Sequence, residues 1–135
     1  MRVSRTNPDG VAPPVGSYAH AVRVETAKAV WIHVSGQVAL DASGTLVGPG
    51  DLRAQTEQVF QNLAAILEAN GATFADVVKI QTFLTTLEEL AGMREVRAGY
   101  LPAEPPASTA VQVVALVLPE ALIEVDLVAV VPSGD

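Results

Sequence analysis

The chain has 135 residues, half of them hydrophobic, no cysteine, and a net charge of −7 from eight basic and fifteen acidic side chains. That length suits one domain with a real core. The composition excludes disulfides, thiolate catalysis and cysteine-based zinc sites, and offers no cationic footprint for nucleic-acid phosphate.

In chain order, residues 1–15 contain Asn7-Pro8-Asp9-Gly10 and Pro13-Pro14 and read as an irregular N-terminal arm. A short strand is expected over Tyr18–Glu25, with His20 as an ordinary strand residue. A second follows over Ala29–Val34, where β-branched residues dominate. The segment SGQVAL continues it through Gly36, as at a bulge or a close backbone approach. Alternation puts His33 on the face of Trp31 and Ser35, where it is expected to be partly buried and structural. DASGTLVGPG reads as a hairpin-like turn.

Asp51 is a suitable N-cap for the first helix, whose buried face is marked by Val59, Leu63, Ile66 and Leu67; Asn70-Gly71 stops it. DVVKIQTFL, from Asp76, is the next strand. Thr86 and Glu89 have capping-box spacing and predict a second helix over roughly 87–100, ended by Pro102, Pro105 and Pro106. Two strands close the chain, over 108–117 and 121–131. Only Gln112 interrupts the apolar residues of the first after Thr109, which predicts cover on both faces. In the last, Ile123, Val125, Leu127 and Ala129 share one face, and Glu124 and Asp126 share the other.

The expected fold is therefore α+β over one domain, residues 1–135: a single sheet with two helices on one face, in the order β-β-α-β-α-β-β. The uncovered sheet face and a mean hydropathy of +0.35 point to burial between identical subunits. No apolar run is long enough to span a bilayer, and no export signal is evident at the start, so a cytoplasmic protein is expected. His20 and His33 lack partners at metal-ligand spacing, so no metal is expected.

The segments GSYAHAV, WIHVSGQVALD, QTEQVFQNLAAILEANGATFADVVKIQTFLT, PPASTAVQV and LIEVDLVAVV together resemble the Rid family, the reactive-intermediate deaminases, also called the YjgF family and often labelled endoribonuclease-like. The resemblance runs from about Val15 to Val131. It implies a chorismate-mutase-like fold (bacillus type) with a mixed sheet, a homotrimer with small-molecule clefts between subunits, and cofactor-free hydrolysis of amino-acid-derived enamines and imines to ammonia and a 2-oxo acid. It also implies site roles. Glu124 is the acid that assists water, and Tyr18, Ser35, Gly36 and Phe83 line the cleft. The arginine that would hold a substrate carboxylate falls on Ser108, followed by Thr109. A guanidinium takes a carboxylate in a two-pronged fork, whereas serine offers one neutral hydroxyl. The resemblance therefore implies a subgroup acting on a non-standard substrate. Arg94 and Arg97, one turn apart, are expected to face solvent.

Residue by residue, two readings stay open. Glu124 is a general acid–base or a solvated rim acid. Tyr18 bonds a ligand or anchors the arm. Ser108 and Thr109 bind a neutral substrate group or hold the backbone at the strand start. A non-catalytic metabolite-binding or regulatory trimer is the second functional class, and an endoribonuclease the third, disfavoured by the charge. No membrane partner is expected.

Overall fold

The computed structural model describes residues 1–134. Six strands form one mixed sheet: β1 (Arg2–Thr6), β2 (Ala21–Glu25), β3 (Ala29–Gln37), β4 (Val77–Leu84), β5 (Ala107–Gln112) and β6 (Ile123–Pro132). Their order across the sheet is β1-β2-β3-β6-β4-β5. Every neighbouring pair is antiparallel except β4 and β5, which are parallel. Helix α1 (Leu52–Ala69) packs against β3 and β6, and helix α2 (Leu90–Ala98) packs on α1. The expected α+β architecture and element order are present, with one strand added in front.

Alternation along the strands decides which face is dry. Ile32 and Val34 of β3, Ile80 and Leu84 of β4, and Ile123, Val125, Leu127 and Ala129 of β6 are buried, and they meet Val59, Phe60, Leu63, Ile66 and Leu67 of α1. The predicted helical stripe is thus the one that covers the sheet. Asp51 caps α1 by accepting a hydrogen bond from the Ala54 N–H, and Gly71 (φ 76°) turns the chain beyond Asn70. Among the described residues no element covers the opposite sheet face, and Trp31 is 43% exposed on it.

Several expectations need correction. The arm is not wholly irregular, because Arg2–Thr6 pairs with β2 in regular antiparallel register. The second strand starts at Ala21, after His20, whose N–H is drawn off to Asn7 Oδ1 at 2.8 Å. His20 is buried in a bend, and His33 is exposed because none of the described elements covers its face. The Thr86–Glu89 capping box does not form. Thr86 Oγ1 accepts from the Glu88 N–H, Glu89 adopts a left-handed backbone (φ 60°), and α2 starts only at Leu90. The same motif does close at Thr73–Asp76, around a single 3-10 turn. The final strands run over 107–112 and 123–132. All of β5 is exposed in the single chain, since it is the sheet edge. Arg94 is exposed, but Arg97 is partly buried, with Nη1 shut off from solvent and burial lowering its pKa.

Candidate active site

The site is built where β3 breaks its pairing with β6. Val34 pairs with Leu127 and Gln37 with Val125, so Ser35 and Gly36 form a bulge between them. Backbone hydrogen bonds fix that bulge. The Ser35 N–H donates to the His20 carbonyl at 2.8 Å, and Ser35 Oγ donates to the Ala19 carbonyl at 2.5 Å. Gln37 Nε2 donates to the Ser35 carbonyl at 3.2 Å. The loop before β2 and the bulge therefore hold each other, and Asn7 holds the loop in turn.

Glu124 lies against this bulge. A Cβ built on Gly36 would stand 2.7 Å from Glu124 Oε2 and 2.9 Å from Cδ. Glycine is required at 36 because a carboxylate occupies the space a side chain would need. Sequence periodicity had placed Glu124 on the face away from the core, and its half-buried state between buried Ile123 and Val125 agrees.

Beside the carboxylate is a cavity of about 300 Å³, lined by Val15, Tyr18, Ser35, Gly36, Val38, Leu40, Val117, Leu118 and Glu124. That volume is at the small end of the roughly 300–1,000 Å³ typical of ligand pockets. Tyr18 Oη accepts a hydrogen bond from the Val15 N–H at 3.3 Å, which ties the phenol to the cavity's outer lip. Thus Tyr18, Ser35, Gly36 and Glu124, separated by more than a hundred positions at the extremes, meet at one cavity.

Phe83, Ser108 and Thr109 do not line it. Phe83 pairs with Glu124 across β4 and β6 and is half-buried on the same sheet face, one strand further out. Thr109 pairs with Gln81 and accepts a hydrogen bond from Lys79 Nζ at 3.0 Å. Ser108 pairs with Ile80, a core residue, and so lies on the helical side of the sheet, opposite Glu124. The apolar walls Val15, Val38, Leu40, Val117 and Leu118 were missed as site residues. The i, i+2 spacing of Gly36, Val38 and Leu40 was a usable signal. Val15 and Val117 carried none, since they are in loops that only the fold brings together.

Burial, reinforced by the negative charge of Asp126, raises the Glu124 pKa. Burial also raises that of Asp126, partly offset by Lys79. The three ion pairs among the described residues, Arg2–Glu25, Arg23–Glu25 and Arg53–Glu95, all lie elsewhere. Glu124 can therefore hold a proton over a wider pH range than a free glutamate.

A stability signature follows. With the folded pKa above its ordinary 4.5, the native state retains a proton that the unfolded chain releases. Stability must then fall as pH rises from about 4.5 through the raised folded value, and level off above it. Urea midpoints measured across that window should decline with pH in the wild type and decline less in Glu124→Gln. Equal slopes would contradict the shift.

The described residues contain no group of three or more His, Cys, Asp or Glu arranged to hold a metal ion. No helix among them is long and apolar enough to cross a membrane.

Known proteins resemble this chain over nearly its whole length. It is 39% identical over 123 residues to protein DfrA of Myxococcus xanthus, covering 90% of this chain and 91% of that one. It is 36% identical over 122 residues to the 3-aminoacrylate deaminase RutC of Acinetobacter baylyi, covering 90% and 93%. The crystal structure of RidA from an Antarctic Psychrobacter superposes with a TM-score of 0.84 at 35% identity, covering 94% of this chain and all of that one. The sequence profile described as Endoribonuclease L-PSP matches residues 10–131, and with these relatives it establishes that the chain belongs to the Endoribonuclease L-PSP family, the family of the Rid and RutC proteins.

Proposed function

We propose that this protein is a hydrolase of enamines or imines, in which Glu124 moves the protons while water adds to carbon. The observation that carries the reading is the half-buried carboxyl of Glu124, set on the Gly36 bulge at the wall of a small, mostly apolar cavity. The deaminase named among its relatives gives the reaction class.

The chemistry asks one group to be acid and then base. Protonated Glu124 gives its proton to the β-carbon of an enamine, which becomes an iminium ion. As carboxylate, Glu124 then takes a proton from water while the water oxygen bonds to the iminium carbon and the C=N π pair moves to nitrogen. That proton passes to the amine nitrogen. As carboxylate again, Glu124 takes the hydroxyl proton while the C=O bond forms and the C–N bond breaks, so ammonia leaves and the acid is restored. A neutral imine takes the first proton from Glu124 on its nitrogen and then follows the same steps. No electrons are gained or lost, so the reaction calls for no redox cofactor. Burial and the Asp126 charge raise the Glu124 pKa, which favours this double role because the protonated form persists to higher pH than in a free glutamate.

In the same reading the working unit is a homotrimer with clefts between copies. The bare sheet face, the exposed edge strand β5, and Val114 and Val117 at 103% and 92% exposure support assembly. A neighbouring copy would then supply Ser108 and Thr109 to the cleft, with Phe83 as a wall residue. Water-soluble small molecules are the partners, and neither nucleic acid nor membrane is required.

A second reading, a non-catalytic metabolite-binding trimer, is favoured by Ser108, whose hydroxyl cannot grip a carboxylate as a guanidinium does. Ammonia release from 3-aminoacrylate and from imines generated in situ separates the two. Acceleration above buffer for any of them is the expected result. Tight binding with no acceleration across the set would establish the binding protein instead. RNA cleavage is disfavoured by the charge of −7.

A further inference from the structure

We propose that the Glu124 cavity selects imines that bear a branched apolar substituent and no carboxylate, because its walls are aliphatic and its one charged group is an acid. The inference rests on the hydrolytic reading above for the reaction, and its test separates the two.

Five aliphatic side chains, Val15, Val38, Leu40, Val117 and Leu118, form the walls. The polar groups at the cavity are the Tyr18 phenol, the Ser35 hydroxyl and Glu124, and no lysine or arginine lines it. A ligand carboxylate placed there would leave water, face the Glu124 carboxylate at short range and find no cation of the same chain lining the cavity. Beside a half-buried carboxylate that repulsion is stronger than in open solvent.

Most of the chain's cations are committed or distant. Lys79 shares the sheet face of Glu124, but it pairs with Val128, so its backbone is offset four positions along β6, about 13 Å, and its ammonium is bonded to Thr109 and acts on Asp126. Arg5 is on the outermost strand β1, three strands from β6, or roughly 14 Å. Arg23 donates to the Asn70 carbonyl at 2.6 Å, and Arg53 pairs with Glu95. Arg94 and Arg97 ride on α2, on the helical side of the sheet. The net charge of −7 adds a long-range bias against anions.

The same features favour a different ligand. An iminium nitrogen is cationic and can approach the Glu124 carboxylate. An isobutyl-sized substituent fills aliphatic walls that would otherwise hold poorly bonded water. Neutral imines derived from branched aliphatic amines combine both.

Two matched pairs test the selectivity. Isovaleramide and isovalerate share a skeleton and differ in charge, and their binding is measured by calorimetry or NMR titration. The amide should bind at least tenfold more tightly. The imines made in situ by oxidising isoamylamine and leucine differ in the same way, and their loss is followed by a carbonyl trap. The isoamylamine product should be hydrolysed with a kcat/KM at least tenfold higher. Val15→Lys adds a cation at an exposed wall position, and it should shrink or reverse both preferences. Isovalerate binding as well as the amide, or faster hydrolysis of the leucine-derived imine, would overturn the inference. If the amide is preferred and neither imine reacts faster than in buffer, the selectivity stands and the hydrolase reading falls.

Discussion

Glu124→Gln should lower kcat/KM for imine hydrolysis by about 10²–10⁴-fold, the usual contribution of a positioned general acid–base. The substitution keeps the shape of the side chain and its packing against Gly36 but cannot exchange a proton. The apolar walls that hold the substrate are untouched, so most of the loss should appear in kcat, with a smaller rise in KM from the lost carboxylate charge. The wild-type pH profile should also carry an ionisation above the ordinary glutamate value, in the direction set by burial and by Asp126, and the variant should lack it. Steady-state kinetics across pH on both proteins checks this. An unchanged kcat/KM would remove Glu124 from the chemistry.

Gly36→Ala should damage activity nearly as much while leaving the fold in place. The new methyl would stand 2.7 Å from Glu124 Oε2, far inside contact distance, and the group that yields is the end of a flexible side chain. Gly36 has no left-handed backbone requirement, so alanine is conformationally acceptable there. The expected stability change is therefore small, about 1 kcal/mol or less. The functional change is large, because a misplacement near 1 Å can cost about 10²-fold. The double variant Gly36→Ala/Glu124→Gln should be no worse than Glu124→Gln alone, since the glycine acts through the carboxylate. Additive losses would show that Gly36 serves the site in some other way, for instance through its own backbone.

Much of this was legible in the amino-acid order. Val59, Leu63, Ile66 and Leu67 announced their helix and its buried face because burial and helical period coincide. Ile123 to Ala129 did the same for a strand, and by elimination turned Glu124 outward. Ser35-Gly36 signalled a bulge through glycine in a β-branched run. What the order of residues hid was contact between loops. Nothing near Val117 indicates that it shares a cavity with Val15, because loop-to-loop proximity has no period. Local chemistry also misled where two local options compete. Thr86 and Glu89 have the spacing of a capping box, but Thr86 bonds two residues ahead instead of three, and the helix starts late. The strand at Arg2–Thr6 was masked by the prolines that follow it. Its stability comes from pairing with β2, not from its own composition.

The bulge is held by main-chain carbonyls of Ala19 and His20, and the acid by a core strand, while the cavity walls are side chains carried largely on loops and at a strand end. Reactivity and selectivity thus have separate structural supports. Substitutions at Val15, Val38, Leu40 or Leu118 can reshape what enters without disturbing the alignment of the proton carrier, whereas most changes at Gly36 cannot. A scaffold divided in this way lets descendants diversify their substrates by single steps, each one folding and each one keeping its chemistry.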